Sequence, residues 1–148
     1  MPIEIKNVSY VYNPGEPTEK KALEHIDLTL HEGEFTGIIG HTGSGKSTLI
    51  QMLNGLITPT EGKILLDGEN IHYEGTASKK KLRLLKAQRL KEVRRRVGLV
   101  FQYPEHQLFE MTVEKDVSFG PHNLKLPEDE IKRRVEESLA MVGLGPEV

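Results

Sequence analysis

The sequence contains no cysteine and no long apolar run among its 148 residues. The absence of cysteine excludes disulfides, thiolate zinc sites and cysteine nucleophiles, and it suits a cytosolic chain. No apolar run approaches the roughly 18–20 residues of a membrane-spanning helix, and the first residues lack the apolar stretch of a secretory signal. We therefore expect any attachment to a membrane to depend on a partner.

Charge is unevenly distributed along the chain. The net charge is −2 and the isoelectric point is near 6.3, a balance that does not indicate a nucleic-acid-binding protein. Residues 79–96 nevertheless contain ten basic residues and a single acid, Glu92. A basic helix of this kind can lie against anionic lipid headgroups. Because the segment has little aromatic content and no nucleic-acid motif, the sequence favours a solvated amphipathic helix.

The N-terminal part has the pattern of β-structure that leads into a helix. An alternating run over residues 3–12 predicts one strand, and the alternation of Ile26, Leu28 and Leu30 with polar residues predicts a half-buried antiparallel strand. Residues 35–39 form a short, mostly apolar run that predicts a further strand. This run ends directly in a glycine-rich loop, and residues 46–54 have a helical pattern.

The remaining elements are shorter strands followed by helices. We predict a strand over residues 63–66 with a short return over 70–73, and a buried strand over 97–101. A short helix is expected over residues 111–119. Pro127 should open a stronger helix that ends at Gly143, since three acidic residues occupy its first turn and favour the helix dipole.

The glycine-rich loop carries the clearest chemical signal in the sequence. It fits the pattern G-x-x-x-x-G-K-[ST] at every fixed position and reads Gly40-His41-Thr42-Gly43-Ser44-Gly45-Lys46-Ser47. A triphosphate needs several donors that converge on a small volume, and backbone N–H groups supply them when glycines let the chain curl into a concave nest. The following helix directs its unpaired N–H groups at the same anion. The segment therefore predicts an ATP-binding phosphate loop.

Each side chain at the end of the loop has an expected role. Lys46 should reach the β- and γ-phosphates, the Ser47 hydroxyl should bind Mg²⁺, and Thr48 should contact the α-phosphate side. A dinucleotide site of the G-x-G-x-x-G type competes poorly, because Thr48 stands where the third glycine is needed.

Three stretches resemble a known family. The segments VSYVYNPG, GHTGSGKSTLIQMLNGL and VGLVFQYPEHQLFEMTVEKDVSFGPHNL are similar to the ATPase subunits of ABC transporters, and specifically to those of energy-coupling factor transporters, which import vitamins and transition-metal ions. The resemblance implies an α/β fold: a P-loop NTPase core of the ABC ATPase type with an N-terminal antiparallel β region and the start of a helical subdomain, in truncated form. It divides the chain into a β-rich and P-loop core over about residues 1–102 and the start of a helical subdomain over about 103–148.

The resemblance adds two residues to the predicted site. Tyr12 matches the aromatic residue that stacks on adenine, and Gln102 matches the glutamine that reaches Mg²⁺ and the attacking water. ATP and Mg²⁺ are the implied cofactors, with Lys46 and Gln102 as the implied catalytic residues.

The resemblance also implies partners and a location. A second ATPase subunit would complete a heterodimer or homodimer. The loop of residues 103–109, which begins at Tyr103 and ends at Phe109, would receive a helix of the transmembrane energy-coupling subunit, and a substrate-binding membrane subunit would be contacted indirectly. No nucleic acid is expected as a partner. The implied location is peripheral, on the cytoplasmic face of the cell membrane.

Several motifs of the intact family are not found in this sequence. It has no LSGGQ-type signature, no Walker B strand ending in Asp-Glu and no switch histidine. Intact members are ATP hydrolases coupled to transport, but we expect this chain to bind nucleotide without efficient hydrolysis, because no second carboxylate holds Mg²⁺ and no glutamate polarises water. We also expect it to self-associate or to rearrange when isolated. A P-loop kinase for a small metabolite and a non-catalytic truncated fragment remain as alternatives.

Overall fold

The structure is a computed structural model that describes residues 1–72, 75–76 and 78–145. Its strands are β1 (Ile3–Tyr12), β2 (Lys20–Leu30), β3 (Glu61–Leu66) and β4 (Glu69–Asn70), and its α-helices are α1 (Lys46–Leu53), α2 (Lys79–Arg96), α3 (Val113–Asn123) and α4 (Glu128–Met141). A 3₁₀ turn covers Pro104–Gln107. The chain divides into two compact units, Met1–Leu99 and Val100–Val148. No helix in the described part of the chain is long and apolar enough to cross a membrane.

The first unit is built on an antiparallel sheet. Its four strands lie in the order β2-β1-β3-β4, and every neighbouring pair is antiparallel. The predicted alternation in β2 is confirmed, because Ile26, Leu28 and Leu30 are half-buried against the core while the intervening side chains are exposed. The predicted N-terminal β region is therefore present.

The core of this unit forms where one helix covers the sheet. Residues of three elements are buried there, with Ile5 and Val8 from β1, Ile64 and Leu66 from β3, and Leu49, Met52 and Leu53 from α1. Val93 of α2 joins the same cluster and is fully buried. Burial of these side chains supplies the main stabilisation of the unit and fixes the start of α1 beside the sheet.

Arginines of the basic helix α2 also hold this unit together. The Arg89 Nε group donates to the Asn70 carbonyl oxygen at 3.0 Å and its guanidinium pairs with Glu69 at 2.9 Å. Arg94 donates to the Gly55 carbonyl oxygen at 3.1 Å, and Arg96 pairs with Asp67. Part of the charge on α2 thus attaches the helix to β4 and to the end of α1.

Two predicted strands are wrong for this structure. Residues 35–39 and 97–101 are not strands, and Phe35, Ile39 and Val100 are 101%, 98% and 75% exposed. A strand satisfies its backbone by pairing with a neighbour, and an apolar strand of a parallel sheet also needs cover on both faces. No described residue supplies that pairing. The predicted return over residues 70–73 is represented by β4, while Tyr73 lies outside the described residues.

The second unit consists of helices α3 and α4, preceded by a segment that is irregular apart from the 3₁₀ turn. Helix α4 follows Pro127 as predicted and buries Ile131 and Val135. The helix predicted over residues 111–119 is observed as α3, two residues later in the chain at its start, with Thr112 accepting a capping hydrogen bond from the Lys115 N–H at 3.3 Å.

Candidate functional site

The loop of residues 40–47 has the backbone of a phosphate nest. Gly43 and Gly45 have φ values of 82° and 86°, in the left-handed region that side chains disfavour. The Ser44 N–H donates to the His41 carbonyl oxygen at 3.2 Å, which closes the curve of the chain before α1 begins. Gly45, which the pattern fixes, and Gly43, which stands at a variable position of it, are thus the glycines at which the chain turns.

Gly45 is required for a second reason, its contact with β2. A β-carbon at this position would lie 2.4 Å from the Ala22 carbonyl oxygen and 2.8 Å from Leu23 Cδ2. Both distances are below van der Waals contact, so only glycine fits without displacing the strand. The sheet therefore holds the loop from behind.

The ammonium group of Lys46 lies within the loop. Its Nζ donates to the carbonyl oxygens of Gly40 at 2.7 Å and His41 at 2.8 Å, and it is 3.3 Å from Ser44 Oγ. These contacts hold a single positive charge inside the concave part of the chain. An anion that enters the loop meets this charge directly, as the predicted contact with the β- and γ-phosphates requires.

The start of α1 is open to an anion. Gly45 caps the helix without a side-chain hydrogen bond, and the first turn contains no acidic residue. The first N–H groups and the positive end of the helix dipole consequently face the loop without a competing carboxylate. The exposed hydroxyl of Ser47 lies at the same helix end.

The donor set fits a magnesium ion that is shared with phosphates. Among the described residues, no group of three or more histidine, cysteine or acidic side chains could hold a metal. Mg²⁺ is commonly held by one or two protein oxygens together with the phosphates of a nucleotide. Ser47 can provide one such oxygen, so the residues present fit Mg²⁺ only as part of a nucleotide complex.

Tyr12 lies against the same helix. Its hydroxyl is 2.9 Å from Thr48 Oγ1, and its ring meets the ring of Tyr10 edge to face with centroids 4.8 Å apart. Thr48 is buried, whereas Tyr12 is 37% exposed. The structure therefore brings the predicted aromatic residue and Thr48, the residue that directly follows the phosphate loop, together.

Another residue near the loop was missed by the sequence analysis. The Lys20 Nζ atom lies 3.9 Å from the position that a β-carbon of Gly43 would occupy. The signal for this contact is the strand register, in which Lys20 is opposite Tyr12. That register depends on the length of the intervening turn, which the residue pattern alone does not fix.

Gln102 and the loop of residues 103–109 belong to the second unit. Gln102 is exposed, and Tyr103, Leu108 and Phe109 are 56%, 68% and 59% exposed. The Phe109 ring contacts Phe119 edge to face at 4.7 Å, and the Phe109 N–H donates to Asp116 Oδ1 at 3.2 Å. The loop is thus anchored to α3 while it presents apolar side chains. The roles of Gln102 and of this loop stay predictions.

Comparison with known proteins identifies the family to which the chain belongs. The family model described as ABC transporter matches residues 23–147. The energy-coupling factor transporter ATP-binding proteins EcfA2 of Clostridium acetobutylicum and Caldanaerobacter subterraneus subsp. tengcongensis are 51% and 52% identical over 97% and 100% of this chain, which covers 46% and 48% of their lengths. The chain therefore spans about half the length of the curated relatives it matches.

Solved structures are similar over nearly the whole chain. The protein cbiO1 of Clostridium perfringens, described as part of the ABC transporter complex cbiONQ, is 39% identical with a TM-score of 0.75, over 96% of this chain and 50% of its own. The ATP-binding cassette MJ0796, solved as a dimer with ADP and Pi, is 29% identical with a TM-score of 0.71, over 98% and 59%. On the extent of the family match, this chain belongs to the ABC transporter family.

Proposed function

We propose that the chain binds ATP together with Mg²⁺ at residues 40–48, as part of the ATP-binding subunit of an energy-coupling factor transporter. The observation that carries this proposal is the position of the Lys46 ammonium, which is held by the carbonyl oxygens of Gly40 and His41 inside a left-handed glycine loop. A buried or fully solvated lysine would not supply a fixed positive charge at the open end of α1.

Each residue around the loop contacts a different part of the nucleotide. Lys46 contacts the β- and γ-phosphates, Ser47 binds Mg²⁺, and Thr48 contacts the α-phosphate side. Tyr12 stacks on adenine, since an aromatic face can hold a base without reading its edge. The loop N–H groups from His41 to Gly45 surround the phosphate chain, and Mg²⁺ neutralises part of its charge when bound.

The partners follow from the same proposal. A second ATPase subunit, identical or related, completes a nucleotide-dependent dimer. The exposed apolar side chains of residues 103–109 receive a helix of a transmembrane subunit, with Gln102 at the base of that loop responding to it. The intact subunit lies on the cytoplasmic face of the membrane and powers import of a vitamin or a transition-metal ion, and a substrate-binding membrane subunit is reached indirectly.

Hydrolysis by this chain alone is expected to be inefficient. Its sequence contains no Walker B carboxylates to hold Mg²⁺ and polarise water, and no signature segment to contact a partner's nucleotide. The phosphate loop supplies binding, and the remaining chemistry requires groups outside this sequence.

The test is equilibrium binding of fluorescent ADP and ATP to the chain with and without Mg²⁺. Lys46→Ala should weaken ATP binding by a factor of about 10 or more, because the charge inside the loop is removed. Lys91→Ala, which removes an exposed positive charge from α2, is the matched control and should leave binding unchanged. Binding that survives Lys46→Ala would refute the proposed site, and rapid Lys46-dependent hydrolysis would refute the proposed inactivity.

A further inference from the structure

The β1–β2 hairpin places the side chains of Tyr12 and Lys20 at one end. Tyr12, the last residue of β1, is the register partner of Lys20, the first residue of β2. Directly opposed residues of an antiparallel pair project to the same face of the sheet. The face that carries the Tyr12 ring toward Thr48 therefore also carries Lys20.

The start of strand β2 lies beside the phosphate loop at two of its glycines. Lys20 Nζ is 3.9 Å from the β-carbon position of Gly43, and the Ala22 carbonyl oxygen is 2.4 Å from that of Gly45. The close approach at Gly45 fixes the strand against the loop. Lys20 thus reaches the loop from the first residue of β2, two residues before this contact.

The Lys20 ammonium has no counter-charge in the described part of the chain. None of the ion pairs or hydrogen bonds between described residues involves its Nζ atom. Its neighbour Lys21 differs, since Lys21 Nζ pairs with Glu24 at 3.1 Å. The two consecutive lysines therefore differ: Lys21 is paired with a carboxylate, whereas Lys20 lies beside the loop without an ion-pair partner among the described residues.

We propose that Lys20 is a second cationic contact for the nucleotide, directed at the phosphates that ADP and ATP share. This inference rests on the proposed nucleotide site. Tyr12 marks the base side of that site, and Lys20 lies beside it on the same strand pair. Its ammonium therefore meets the inner phosphates, while Lys46 serves the outer ones. A lysine is suited to this role because it acts as a point charge on a flexible stem.

The experiment compares three variants of the full chain: Lys20→Ala, Lys20→Arg and the control Lys21→Ala. Affinities for ADP, ATP and inorganic pyrophosphate are measured by displacement of a fluorescent nucleotide at low and moderate salt. Lys20→Ala should weaken all three by a similar factor of about 3 to 10, the range for one exposed charge-assisted contact. It should also reduce the salt dependence of binding, because one screened charge pair is lost.

The controls separate binding from structure. Lys20→Arg should remain within about twofold of the unchanged chain, since it keeps the charge, and Lys21→Ala should bind normally. Thermal unfolding of each variant is recorded, and the midpoint of Lys20→Ala should match that of Lys21→Ala. A lowered midpoint in both Lys20 variants, with affinity lost in both, would assign Lys20 a structural role and overturn the inference.

Two further outcomes are decisive. If the unchanged chain binds nucleotide and Lys20→Ala behaves like Lys21→Ala, or weakens ATP but not ADP, the role of Lys20 is overturned and the proposed function stands. If the unchanged chain does not bind nucleotide, or binds it independently of Lys46, the proposed function fails and this inference fails with it.

Discussion

The hydroxyl of Tyr12 lies 2.9 Å from Oγ1 of Thr48, so a residue of β1 is hydrogen-bonded to the first turn of the helix that follows the phosphate loop. Tyr12 is 37% exposed, and its ring meets the ring of Tyr10 in an edge-to-face arrangement. One side chain can therefore connect the sheet to the loop through its oxygen while it offers a ring face to a base.

The hydrogen bond of Tyr12 and its proposed stacking on adenine can be separated by substitution. Tyr12→Phe should change the affinity for ADP by less than about threefold, since only one hydrogen bond is lost, whereas Tyr12→Ala should weaken it by about tenfold because the stacking surface is removed. Affinity for inorganic tripolyphosphate, which has no base, should be the same in both variants. Equal losses for ADP and tripolyphosphate in Tyr12→Ala would show that the ring supports the loop and does not stack on adenine.

The two left-handed glycines of the loop differ in what surrounds them. Gly43→Ala introduces backbone strain alone, whereas Gly45→Ala also drives a β-carbon into the Ala22 carbonyl oxygen. We expect Gly43→Ala to cost about 1–2 kcal/mol of unfolding free energy and Gly45→Ala about 1–3 kcal/mol more. Denaturant unfolding of the two variants measures the difference. Equal stabilities would show that β2 does not press on the loop.

The phosphate loop was predictable because its chemistry is local. Consecutive residues provide the glycines, the lysine and the helix start, so the pattern alone predicts where the candidate site lies. Lys20 was not predictable in this way, since its approach to Gly43 depends on the register of a hairpin with irregular pairing. Long-range contacts of this kind are set by packing, which a residue pattern does not encode.

The strand predictions also differ according to whether the pairing partner is near or distant in sequence. The alternation in β2 predicts a strand that the chain can pair locally with β1, and that strand forms. The apolar runs at residues 35–39 and 97–101 have the composition of buried parallel strands, whose pairing partners come from distant sequence. Both predictions are wrong for this structure, because an apolar run without a neighbouring strand to pair with does not form a strand.

The arginines of α2 provide a test of how the basic helix is attached. Arg89→Ala removes the hydrogen bond to the Asn70 carbonyl oxygen and the ion pair with Glu69, and the side chain is only 14% exposed. It should lower the free energy of unfolding by about 1–2 kcal/mol. Arg95→Ala, an exposed neighbour, should change it by less than about 0.5 kcal/mol. Equal effects of the two substitutions in denaturant unfolding would contradict a specific attachment through Arg89.

The acidic start of α4 should give a pH-dependent stability. Hydrogen bonds from Arg134 and then Arg133 lower the pKa of Glu130 below its usual value. Because the folded pKa is below the unfolded one, the ionised carboxylate stabilises the fold above the unfolded pKa, and this contribution is lost as pH falls through the folded pKa. Glu130→Gln should be less stable than the unchanged chain at pH 7, and the difference should disappear in acid. A difference that is constant with pH, or equal to that of Glu136→Gln, would contradict this origin.

The exposed run of residues 35–39 should make the chain self-associate. Phe35 and Ile39 are 101% and 98% exposed, and an apolar segment with unpaired backbone groups recruits other chains. Sedimentation velocity should show concentration-dependent association, and the double substitution Phe35→Ser and Ile39→Ser should reduce it without lowering the unfolding midpoint, because neither side chain is packed. Leu84→Ser, which removes an exposed leucine of α2, is the control and should leave association unchanged. A monomeric chain across the concentration range would refute the expectation, and an equal effect of Leu84→Ser would show that association is general to exposed apolar side chains.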